Sequence, residues 1–113
     1  MAITLQKDIL LSLLKLTQNG AVSKQTVVKS LRAPAETTHA QLEALLQAGL
    51  FQEYDELIEA MPSQRIRMAF SALSRGADLE RVCTLLSWNE FERMTAEAFE
   101  ANGYRAIQNS HLR

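Results

Sequence analysis

Two histidines, one cysteine and thirteen carboxylates are the residues of this 113-residue chain that could bind metal or move protons. His39 and His111 have no Cys or second His at metal-ligand spacing, so no metal site is expected from them. Cys83 falls on the apolar side of a short helix and reads as a small core residue. No nucleophile elbow, catalytic triad signature or Gly-rich phosphate loop is present. The remaining chemistry lies in cations and polar side chains. Lys24, Lys29 and Arg32 are placed to meet phosphates, with Thr37, His39 and Gln41 as polar contacts beside them. Arg65 and Arg67 extend this set, followed by Arg75 and Arg81. These cations could form a phosphate-binding strip, although a solvated helix face is the commoner source of such charges. Base reading is weakly supplied, because the third helix turns Glu36, Thr37, Ala40, Glu43, Ala44 and Gln47 outward. That face has no Arg or Lys to read guanine bidentately.

These side chains are positioned by a run of short elements. Leu5, Ile9, Leu13 and Leu16 predict an amphipathic helix over 4–18, stopped at Asn19-Gly20. Ser23 caps a second helix that buries Val27, Val28 and Leu31. Arg32-Ala33 forms the turn, and Pro34 suits the first turn of a third helix. That helix buries Thr38, Leu42, Leu45 and Leu46 and ends at Gly49. Two extended runs, 50–54 and 57–61, flank Asp55-Glu56 and predict a hairpin. The hairpin is acidic: Glu53, Asp55, Glu56 and Glu59 stand with no basic residue in 50–61, which disfavours phosphate contact there. Pro62 opens a fourth helix with Ile66, Ala69, Phe70 and Leu73 inward. A fifth, over 79–86, carries Leu79, Val82, Cys83 and Leu86 inward. Ser87-Trp88-Asn89-Glu90 is a capping box for a sixth helix. Its Trp88, Phe91, Thr95, Ala98 and Phe99 share one face, with Glu90 turned to solvent. Residues 104–108 alternate as a strand.

Composition bounds the class. The chain is 47% hydrophobic and 22% charged, the balance of an ordinary globular domain. A net charge of −1 provides no global basic field. No apolar run is long enough to span a membrane, and no signal peptide is expected. The single cysteine excludes an intramolecular disulfide and points to an intracellular, cytoplasmic setting.

Three helices followed by a hairpin, with Leu45-Leu46-Gln47-Ala48-Gly49-Leu50 between them, resemble a winged helix-turn-helix. The expected fold is mainly α (α+β), with a small β-hairpin wing, additional C-terminal helices and a short strand. The block from Leu85 to Met94 (Ser87-Trp88, then Phe91-Glu92), continued by Ala98-Phe99 and Gly103-Tyr104, resembles the opening of archaeal restriction-endonuclease-like proteins. That superfamily includes Holliday-junction resolvases, and some members carry an N-terminal winged helix. The resemblance implies three segments. Residues 1–61 form the winged helix, 62–86 a helical connector, and 87–113 the first helix and strand of an incomplete nuclease domain. It implies a catalytic role for Glu92 alone, because no acidic residue or lysine follows Arg105. Mg²⁺ is implied only if a complete nuclease domain follows, since one carboxylate does not hold it. Two functions stay open. One is a module that binds and positions DNA; the other is a protein-interaction or dimerisation module that never grips DNA. A homodimer would cover the Trp88, Phe91 and Phe99 stripe. No membrane partner or small-molecule ligand is expected.

Overall fold

Ile9, Leu10, Leu13 and Leu14 lose all solvent exposure, and the helix that carries them forms the centre of the molecule. This is α1 (Ala2–Leu16) of the computed structural model, which describes residues 2–101. Each fully buried leucine or isoleucine contributes about 1.5–3 kcal/mol relative to exposure. Around α1 lie β1 (Val22–Ser23), α2 (Lys24–Lys29), α3 (Ala35–Gln47), β2 (Gln52–Tyr54) and β3 (Leu57–Glu59). Then come α4 (Pro62–Ser74), α5 (Leu79–Thr84) and α6 (Trp88–Ala101). The fold is mainly helical with a small antiparallel sheet, an α+β arrangement. The strand expected over 104–108, with Gly103 and His111, lies outside the described residues.

The local signals act where expected. Ser23 Oγ accepts from Thr26 N–H at 3.0 Å and starts α2. Pro62 stands at the first turn of α4. Gly49, at φ +80°, ends α3 and lets Leu50 N–H reach Leu45 O at 3.2 Å. Thr38, Leu42 and Leu45 are buried beneath α3, and Ile66, Met68, Ala69 and Ala72 of α4 join the same core.

The sheet departs from the expected hairpin in two ways. It has a third strand, since Val22 and Ser23 pair with Ile58 and Leu57 and give the order β1-β3-β2. A two-residue strand has no readable alternation. Leu50 and Phe51 precede β2 and plug into the core instead of extending it. The hairpin turn is Asp55-Glu56, with φ of 45° and 72°. Two-residue hairpins favour positive φ at both central positions, a conformation that suits Asn-Gly.

The last two helices also depart from expectation. Leu79 is 58% exposed, because it stands at the first position of α5 and the buried residue there is Val82. Trp88 is 70% exposed and Phe99 52%, so neither is core. The inward residues of α6 are Glu90 and Met94, one helical turn apart. At 3.6 residues per turn, that setting puts Trp88 and Phe99 roughly half a turn away. Trp88 instead rests against Phe91, with ring centroids 5.9 Å apart.

The strained turn yields a prediction. Asp55→Asn combined with Glu56→Gly should raise stability by about 1 kcal/mol, because the left-handed region is costly for residues with a Cβ. A higher denaturant midpoint at unchanged slope checks this; an unchanged midpoint contradicts it.

Candidate nucleic-acid interface

The basic residues divide into those the fold consumes and those it leaves outward. Arg65 is consumed completely. It lies on the apolar side of α4, only 5% exposed. Its Nε donates to Glu90 Oε2 at 2.9 Å. Nη1 donates to Leu14 O at 2.9 Å and Thr17 Oγ1 at 2.6 Å, and Nη2 to Leu85 O at 2.6 Å. The expected phosphate contact at Arg65 is therefore corrected: the side chain points into the protein. Glu90, expected in solvent, is 7% exposed for the same reason. Its Oε1 closes the capping box by accepting from Ser87 N–H at 3.0 Å, while its own N–H donates to Ser87 Oγ at 3.1 Å. One carboxylate thus caps α6 and pairs with Arg65. Arg65 shares a helical stripe with Ala69 and Ala72, and that periodicity was the readable signal of its burial.

Other cations are partly committed. Lys24 Nζ lies 2.9 Å from Glu53 Oε2 in the hairpin. The hydrogen bond to Glu53 holds the Lys24 ammonium above the ordinary amine value, outweighing the opposing effect of partial burial. Nearby, Tyr54 Oη donates to Glu59 Oε1 at 3.1 Å, and this bond raises the phenol above its usual value. Arg67 is exposed yet reaches back to the end of α3, donating to Ala48 O at 3.1 Å. Arg75 donates to Gln6 Oε1 at 2.9 Å, and Gln6 in turn donates to Gln41 Oε1 at 2.6 Å. Gln41 therefore belongs to a bridge between α1 and α3.

Lys29 and Arg32 are exposed at the end of α2 and in the turn before α3, and neither has an ion-pair or side-chain hydrogen-bond partner among the described residues. Thr37 and His39 are exposed on the first half of α3, with no basic neighbour on that helix. A groove of about 380 Å³ brings Arg32 together with two residues distant in sequence, Lys15 and Arg81. Lys15 escaped the sequence reading. It shares one α1 face with Asp8, Leu11 and Ser12 at the i, i+3, i+4, i+7 spacing, a signal masked by the stronger apolar stripe.

A second cavity, of about 410 Å³, opens beside Thr17, Glu59, Arg65 and Glu90. Its charged floor is already hydrogen-bonded internally. Glu92, the carboxylate singled out by resemblance, is exposed on α6. Among the described residues, no three His, Cys, Asp or Glu side chains converge to hold a metal ion. Among the same residues, no helix is long and apolar enough to cross a membrane. No family model, curated protein or solved structure matches the chain.

Two outcomes follow. Arg65→Met should cost about 3–5 kcal/mol, because it strands the Glu90 charge. Adding Glu90→Gln should recover part of that loss in a double-mutant cycle; strict additivity would show the two are uncoupled. The Lys24–Glu53 pair should add about 0.2–1 kcal/mol at neutral pH. A raised folded pKa means the contribution is complete below the unfolded lysine value of about 10.4 and fades as pH rises through the folded value. Denaturation of the wild type and Lys24→Gln at pH 7 and pH 11 should show the difference shrinking.

Proposed function

We propose that this chain is a winged-helix module that binds and positions DNA through the phosphate backbone, forming the N-terminal part of a restriction-endonuclease-like DNA-processing protein. The element order α1-β1-α2-α3-β2-β3 supports the first part of this reading. In it, α2 and α3 are the helix-turn-helix pair and β2–β3 the wing. The observation that carries the DNA reading is the outward pair Lys29 and Arg32 at the α2–α3 turn, without side-chain partners while Arg65, Arg67, Arg75 and Lys24 are each bonded to other groups of the protein.

The mode of binding follows from the charges. Without Arg or Lys on its outer face, α3 offers Thr37 and His39 as polar contacts and lacks the bidentate readers of guanine. Binding is therefore sequence-tolerant and dominated by counterion release. The wing keeps Asp55 and Glu56 exposed at its tip and stays off the backbone. In this reading the winged-helix module supplies positioning, and Glu92 would belong to the nuclease part.

A second reading, a protein-interaction or dimerisation module, is favoured by the exposure of Trp88 on α6. Fluorescence anisotropy on a mixed-sequence duplex separates the two. Under the DNA reading, binding is steeply salt-dependent and indifferent to sequence. Lys29→Ala with Arg32→Ala should lower the slope of log affinity against log salt by about two. Absence of binding at low salt, with a stable dimer by analytical ultracentrifugation, would overturn it.

A further inference from the structure

The groove between α1, the α2–α3 turn and α5 has a composition that packing does not explain. Lys15 comes from α1, Arg32 from the turn and Arg81 from α5. Three cations face one concavity with Asp8 as the acid among its lining residues. None of the three side chains has an ion-pair or hydrogen-bond partner among the described residues. Three other arginines, Arg65, Arg67 and Arg75, all donate to backbone or side-chain oxygens, while Arg93 stands exposed on α6 away from this groove's lining. Like charges brought together repel, and the repulsion is relieved when an anion enters.

The rest of the groove suits a phosphodiester. Its floor is Leu11, Leu16, Leu31 and Leu85, buried or half-buried. An apolar floor lowers the local dielectric and strengthens the cations' pull on an entering charge. At its edge Ser12 Oγ lies 2.6 Å from Ser30 Oγ. Ser30 already donates to Val27 O at 2.7 Å, so Ser12 is the donor of that pair. Its proton can swing outward to a phosphate oxygen. Arg32 lines the groove and also stands in the helix-turn-helix turn, so the groove continues the surface that carries Lys29.

We propose that this groove seats a backbone phosphate of bound DNA, with Lys15 and Arg81 as contacts outside the helix-turn-helix itself. The inference rests on the DNA-binding reading above. It extends the footprint across α1 and α5, so that the duplex is held by three elements instead of one turn.

The test compares the wild-type chain, Lys15→Gln with Arg81→Gln, and Lys29→Gln with Arg32→Gln. Each is titrated against a mixed-sequence duplex at several salt concentrations, and separately against an acidic polyglutamate peptide. Thermal melting verifies that the exposed substitutions leave the fold intact. The groove variant should bind the duplex about tenfold more weakly at low salt, with the salt slope reduced by about two. If its affinity and slope match the wild type while the turn variant is weakened, the groove assignment falls and the DNA reading stands. If the wild type binds no duplex at low salt, the DNA reading itself falls. If polyglutamate binds the wild type more tightly than duplex and the groove variant loses it, the groove is a docking site for an acidic protein segment and the phosphate assignment is overturned.

Discussion

The Arg65 guanidinium is the interaction on which the helical packing depends. It donates to Leu14 O near the end of α1 and to Leu85 O at the end of α5, and it pairs with Glu90 in the first turn of α6. Helix C-termini leave carbonyls without partners and carry partial negative charge; N-termini carry the opposite. A cation at two C-termini facing an anion at one N-terminus satisfies both requirements together. Burying such a pair is favourable only when its remaining donors and acceptors are met, and here they are. The same bond sets the rotation of α6. With Glu90 drawn inward, Met94 follows one turn later, Trp88 and Phe99 turn outward, and Phe91 packs partly against the core from the edge of the stripe.

A net charge of −1 conceals this division of labour. Among the described residues, Arg65, Arg67 and Arg75 serve as structural donors, closing helix ends and bridging α1 to α4. Lys24 joins α2 to the hairpin twice, through Nζ to Glu53 and through its backbone N–H to Glu56 O at 2.7 Å. That second bond anchors the hairpin turn despite its unfavourable backbone conformation. Of the cations without an ion-pair or side-chain hydrogen-bond partner among the described residues (Lys7, Lys15, Lys29, Arg32, Arg81 and Arg93), Lys15, Arg32 and Arg81 converge on one groove and Lys29 stands at the end of α2 beside it. Total charge was therefore a poor guide to partners; the distribution after internal pairing is the informative quantity.

The elements themselves were legible in the sequence. Ser23, Pro62, Gly49 and the Ser87–Glu90 box each act within a few residues of the backbone groups they satisfy, so their effect can be read from spacing. The apolar faces of α1 and α3 were legible for the same reason. The candidate site was only partly so. Lys29 and Arg32 stand outward as expected, whereas Arg65 and Gln41 are committed to partners and Lys15 was passed over. Trp88 and Phe99 lie outside the core because the buried stripe of α6 is led by a carboxylate, which aromatic spacing does not reveal.

The sequence by itself determined where most helices begin and end, the apolar faces of α1 and α3, and that the hairpin is acidic. These follow from short-range capping, periodicity and composition. Only the tertiary structure decided the fate of the charged side chains. Glu90 and Arg65 are 25 residues apart, and Arg65 and Leu14 are 51 apart. A guanidinium takes whichever oxygens the packed helices present to it, whatever their distance along the chain. The free cations are those for which packing presented none.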